Sequence, residues 1–123
     1  MTTIRTEAEA RAAIVRACRQ LSAAGLSPGS SGNVSVRVGS RIIATPTGSS
    51  LRAVTEDEVA ATPADQEGAP RPTKELPLHA AMYAAHPDAT AVVHLHSPYA
   101  TAIACLPPAD SGYAPLPRSL PTV

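Results

Sequence analysis

Apolar positions along this chain keep two different periods, and the switches between them outline the elements. Ile14, Ala17, Cys18 and Leu21 recur at i, i+3, i+4 and i+7, the stripe of an amphipathic helix. Thr6-Glu7-Ala8-Glu9 is a capping box that opens it, and Gly25 is the expected residue just past its end. The period then drops to two: Val34, Val36 and Val38 alternate with Ser35 and Arg37, the pattern of a half-buried strand. Gly39-Ser40 turns the chain into a returning strand over 41–44. A second capping box, Thr55-Glu56-Asp57-Glu58, predicts a short helix over 54–61. Thr73 is the expected cap of a helix over 74–85, where Pro77 is tolerable near the first turn. Glu75, His79 and Met82 share a face of that helix, with Leu78 and Met82 as packing residues, and His86-Pro87 ends it. The apolar run 91–96 predicts a strand, and Ser97-Pro98 the cap and first residue of a helix over 98–105.

Beyond residue 106 the periodicity stops. Five prolines fall between 107 and 123, which excludes a regular helix or a central strand and predicts an extended, irregular tail. The expected organisation is one domain over 1–106 followed by this tail.

Composition narrows the function classes. Ten basic and ten acidic residues cancel, without a block of like charge, so no polyanion-binding surface is indicated. Three tyrosines and no Phe or Trp leave no base-stacking platform, which argues against nucleic acid as a partner. No apolar leader and no membrane-length run are present, so a cytoplasmic protein without a membrane partner is expected. Cys18 and Cys105 each sit in an apolar context that suits a buried thiol rather than a disulfide.

Candidate chemistry gathers at His94-Leu95-His96. On a strand, residues two apart share a face with Cβ atoms roughly 6.5–7 Å apart, so two imidazoles can converge on one divalent ion. Zinc would take them at about 2.0–2.1 Å. Two satisfied histidines on a half-buried strand are the plainer alternative. The loops 25–33 and 45–50 are rich in Gly, Ser and Thr, a composition whose backbone N–H groups and hydroxyls can cradle a phosphate. Either loop alone also reads as an ordinary turn, and no Walker or dinucleotide fingerprint is present.

Four segments together, Gly29-Ser30-Ser31-Gly32-Asn33-Val34-Ser35-Val36-Arg37, Thr45-Pro46-Thr47-Gly48, Glu75 with His79, and Val92-Val93-His94-Leu95-His96-Ser97, resemble the class II aldolase/adducin family in order and spacing over about residues 5–106. Thr47-Gly48-Ser49-Ser50-Leu51 and Pro72-Thr73-Lys74-Glu75-Leu76-Pro77-Leu78-His79 look most like its 3-oxo-tetronate 4-phosphate decarboxylases, then its fuculose-phosphate aldolases. The resemblance implies an α/β fold with three α/β/α layers around a mostly antiparallel sheet, shortened on its C-terminal side. It implies a divalent metal, usually Zn2+, held by His94 and His96, with Glu75 as the acid/base residue. Ser30, Asn33, Thr47, Gly48 and Thr73 would surround the substrate phosphate, and Lys74 would face a substrate carboxylate. The implied substrate is a phosphorylated sugar or sugar acid, decarboxylated or cleaved in a retro-aldol sense through a metal-stabilised enediolate.

The family completes its metal site with a third histidine downstream of the pair, whereas here no histidine follows His96. The metal site is therefore expected to be incomplete, and a shortened gene product, even an inactive copy, is the simplest expectation. Full-length relatives form homotetramers. A non-catalytic, adducin-like interaction module is the alternative, against which the retention of Glu75, His94 and His96 weighs.

Overall fold

The computed structural model describes residue 4 and residues 6–105, without the side chains of 103 and 104. Helix α1 (Glu7–Ala23) opens on the expected capping box: Thr6 Oγ1 accepts from the Glu9 amide, and the Glu9 carboxylate accepts from the Thr6 amide. Strands β1 (Asn33–Val38) and β2 (Arg41–Ala44) form the predicted hairpin, with Gly39 at φ +58° in its two-residue loop. Strand β3 (Ala60–Thr62), helix α2 (Leu76–Ala85), strand β4 (Ala91–His94) and helix α3 (Pro98–Ala104) follow.

The four strands make one sheet in the order β3-β2-β1-β4, every neighbour antiparallel. Alternation along β1 decides what covers each side. Val34 and Val36 meet α1, where Ala10, Ile14, Val15 and Cys18 complete a dry core with Ile43 of β2. Leu51, Val54 and Val59 from the segment between β2 and β3, with Ala61 of β3, close that core. Asn33, Ser35 and Arg37 point the other way, toward α2: Ser35 bonds His79 and Tyr83, and the Arg37 guanidinium stands 5.1 Å from the Tyr83 ring centre. The architecture is thus α/β in three layers, helix on sheet on helix.

Five expectations are corrected. Thr55 to Glu58 form a turn, not a helix: Glu58 still accepts from the Thr55 amide and hydroxyl, but the following apolar residues enter β3, where Ala60 and Ala61 pair with Ala44 and Ile43. Helix α2 begins at Leu76, because the Thr73 hydroxyl accepts from the Glu75 amide and holds residues 74 and 75 in a turn. The buried face of α2 carries His79 and Tyr83, whereas Leu78 and Met82 are 47% and 42% exposed. Strand β4 stops at His94, so His96 lies beyond the pleat that was expected to align the pair. Both thiols were expected to be buried; Cys18 is, but Cys105, just past the last turn of α3, is exposed. The proline-rich stretch from 107 lies outside the described residues. No described helix is long and apolar enough to cross a membrane.

Candidate metal and phosphate site

The register of β1 against β4 places Asn33 directly opposite His94, and both face α2. Glu75, the N-cap residue of α2, reaches across to them. His94 Nδ1 lies 2.8 Å from Glu75 Oε2, and Asn33 Nδ2 donates to the same oxygen. His96 is exposed, but its backbone is held: the His96 amide donates to Ser27 Oγ at 3.3 Å. The His94 and His96 ring centres are 5.1 Å apart. One ligand atom each from Glu75, His94 and His96 falls within 4.8 Å of the others. A carboxylate oxygen and two imidazole nitrogens match the donor set and the count of three protein ligands typical of a catalytic divalent-metal centre, so these residues fit such an ion.

The other end of the site is built by two loops pressed together. Thr45 is buried and doubly tied to β1, its amide donating to Val34 O and its hydroxyl accepting from the Val34 amide. The Thr73 amide donates to Thr45 O and the Thr47 amide to Arg71 O, which sets the 45–48 loop alongside 71–73. On the remaining side the 27–33 loop turns at Gly32, whose φ is +79°. A side chain there would meet Ser27 Oγ at 2.4 Å and the His94 carbonyl oxygen at 3.1 Å, so only glycine lets this loop lie against β4 and the Ser27 clamp at once.

Between these walls opens a cleft of about 320 Å³ lined by Ser30, Ser31, Gly32, Asn33, Pro46, Thr47, Gly48, Ser49, Thr73, Lys74, Glu75 and His96. Every residue given a site role from the sequence lines it except His94, which stands behind Glu75. The wall is rich in hydroxyls, with Lys74 as its one cationic side chain.

The electrostatics follow from the contacts. The Asn33 amide bond holds the Glu75 carboxyl below its ordinary range, against the opposing effect of burial and with help from the neighbouring His94 and His96. Burial pushes His79 down, aided by His94 and opposed by Glu75. Burial likewise pushes the Tyr83 hydroxyl up, against its bond to Ser35 and the nearby Arg37. Sequence reasoning passed over Ser35 and Tyr83, and gave His79 a place on the helix face but no role. The i, i+4 spacing of His79 and Tyr83, both facing a strand that alternates Asn, Ser and Arg, was the available signal.

Residues 12–121 match the Class II Aldolase and Adducin N-terminal domain. The chain belongs to that family. The match runs past residue 106 into the proline-rich stretch. The 3-oxo-tetronate 4-phosphate decarboxylase of Haemophilus influenzae is 41% identical over 95 residues, covering 73% of this chain and 44% of the relative. The L-fuculose phosphate aldolase of Escherichia coli K12 is 36% identical over 95 residues, covering 76% and 44%. Among solved structures, YgbL of Klebsiella pneumoniae superposes with a TM-score of 0.75 at 33% identity, over 84% of this chain and 51% of that one. The chain therefore spans about half the length of the relatives it matches, and it carries the class II aldolase fold over that half.

Proposed function

We propose that this chain carries the phosphate-binding and metal-binding part of a lyase that acts on a phosphorylated sugar or sugar acid. The observation that carries this reading is one cleft lined by Ser30, Thr47, Gly48 and Thr73 together with Glu75 and His96, His94 adjoining Glu75. Hydroxyls and backbone N–H groups suit a phosphate dianion without the desolvation cost of burying a fixed cation. Lys74, exposed at the rim, supplies a positive charge for a substrate carboxylate. That charge favours decarboxylation of a 3-oxo-tetronate 4-phosphate over retro-aldol cleavage of a neutral-chain sugar phosphate, and both relatives named above fall within these two chemistries.

Glu75, His94 and His96 would hold the divalent metal, zinc by its donor set. Such an ion supplies Lewis-acid stabilisation of negative charge on a substrate oxygen. The chain's own residues do the rest. The loop donors fix the phosphate end and so orient the reacting carbons. Glu75, kept ionised by Asn33 and His94, is placed to take up or return a proton. Homo-oligomerisation and a cytoplasmic setting belong to this same reading.

Calorimetric zinc titration of the 123-residue chain tests the metal end. One ion per wild-type chain is expected, with at least tenfold weaker uptake by His94→Ala, and no uptake by the wild type would remove the site. Thermal melts test the other end. Inorganic phosphate should raise the wild-type midpoint but neither that of Thr47→Val nor that of Gly48→Val, each compared with its own phosphate-free melt. Equal phosphate increments in all three proteins would overturn the assignment.

A further inference from the structure

Behind the cleft lies a titratable side chain that the chemistry above does not use. His79 is 0% exposed, yet both ring nitrogens are engaged. Its Nδ1 sits 2.7 Å from Ser35 Oγ, and its Nε2 bonds Asn33 Oδ1. Ser35 Oγ also lies 2.8 Å from the Tyr83 hydroxyl, which in turn bonds the Val92 backbone. Asn33 Nδ2 donates to Glu75 Oε2, the oxygen that His94 also contacts.

Elementary donor and acceptor rules give this run of bonds one direction. An ionised carboxylate only accepts, so Asn33 must turn its nitrogen to Glu75 and its oxygen to His79. That oxygen only accepts, so the proton of the His79 ring sits on Nε2. A neutral imidazole, the form that complete burial favours, then presents Nδ1 as an acceptor. Ser35 therefore donates to His79, and Tyr83 donates to Ser35. Four side chains on β1 and α2 form a single file of donors that ends on one carboxylate oxygen. Among the described residues nothing donates to Glu75 Oε1.

We propose that His79 is a positioning residue for Glu75: acting through Asn33, it locks the side-chain amide so that Oε2 is occupied and Oε1 is the oxygen presented to metal and substrate. This rests on the reading of Glu75 as the acid/base and metal-side carboxylate. Without the His79 proton, the Asn33 amide is held at its nitrogen alone, and its carbonyl oxygen, left without a donor, no longer fixes the amide plane against Glu75 Oε2. The outer partners of metal ligands commonly change metal affinity by tenfold to a hundredfold when removed.

The test uses the full chain with zinc alone as the probe, together with nitrogen-15 NMR of the metal-free protein. The wild type should show His79 with its proton on Nε2, and an Asn33 side-chain amide resonance that moves in Glu75→Gln and in His79→Leu. His79→Leu, which keeps the bulk and loses both bonds, should bind zinc at least tenfold more weakly with its secondary structure intact. His79→Gln, whose amide can restore a donor to Asn33, should regain most of that loss. A purely structural His79 would show no such recovery. A proton on Nδ1, zinc binding by folded His79→Leu within twofold of wild type, or His79→Gln no better than His79→Leu would each overturn the inference. If His79→Leu does not fold, Ser35→Ala and His79→Gln carry the comparison: near-wild-type zinc affinity in both, with the His79 proton still on Nε2 in Ser35→Ala, supports the role of the donor nearest Asn33, and a tenfold loss in either overturns it. If the wild type takes up no zinc, the metal reading fails by itself. The positioning role is then decided by whether the Asn33 amide resonance responds to His79→Leu.

Discussion

The two faces of the sheet are one residue apart along β1 and are built on opposite principles. Val34 and Val36 join Ile14, Cys18 and Ile43 in an apolar core. Asn33 and Ser35, equally buried, meet His79 and Tyr83 through hydrogen bonds. On the α1 side, burial is non-directional and tolerates exchange among apolar side chains of similar volume. On the α2 side, each group has one correct partner and a defined donor direction, so volume matters less than which atom faces which. The first face supplies stability, the second places the cleft residues.

The largest expected effect lies on the dry face. Ile43→Ala should cost about 2–5 kcal/mol in urea unfolding, a large part of the roughly 5–15 kcal/mol typical of a domain. A loss below about 1 kcal/mol would mean that this face is not close-packed. Next comes Ser35→Val, an apolar substitution of the kind its neighbours Val34 and Val36 already represent. It should nonetheless destabilise by about 1–3 kcal/mol, because the ring nitrogen of His79 and the hydroxyl of Tyr83 lose a buried partner. The double variant Ser35→Val/Tyr83→Phe should cost less than the two single losses added, since it removes one orphaned group with its partner. Additive losses would show that the faces do not differ in this way.

The pH dependence should separate the faces by sign. His79 and Glu75 are both held below their ordinary ranges by folding, so the stability they lend is present above those ranges. It is lost on acidification, beginning below about 6.5 as the unfolded chain's histidine takes up its proton. His79→Gln should flatten the start of that acid limb. Cys18 on the dry face behaves oppositely: burial pushes its thiol up to about 11 from 9.0, so stability falls as pH rises through that interval. Cys18→Ala should flatten this alkaline limb and leave the acid one unchanged, which thermal melts across pH would read. The smallest effect belongs to the exposed His96. In metal-free buffer His96→Ala should change stability by no more than about 0.5 kcal/mol, although it removes a zinc-dependent gain.

Legibility in the sequence followed the same division. The capping box at Thr6, the helical stripe through Ile14 and Cys18, and the valine alternation of β1 are local signals, and α1 and the β1–β2 hairpin formed as they predict. The α/β layering and the members of the cleft were legible through motif order. What sequence reasoning lost was decided by partners far along the chain. Thr55 to Glu58 carries a helix-start signal, but Val59 is claimed by the core and Ala60 and Ala61 by β2. His79 bonds residues 44 and 46 positions away, and no periodicity announces that Ser35 and Asn33 meet it. The polar half of β1 resembles a solvent-facing pattern until α2 is seen to cover it.

Gly32 joins the two ends of the cleft through what it lacks. Its bare Cα rests against Ser27, whose hydroxyl holds the His96 backbone, and against the carbonyl of His94. The loop that bears Ser30 and the segment that bears the histidine pair therefore share a single spacer, one hydrogen atom thick. The cleft has in effect a fixed gauge: the spacing between the Ser30 loop and the histidine segment is set in the backbone rather than by adjustable side chains. Alanine at position 32 would reset that spacing, whereas exchanges among the side chains that line the cleft would leave it as it is.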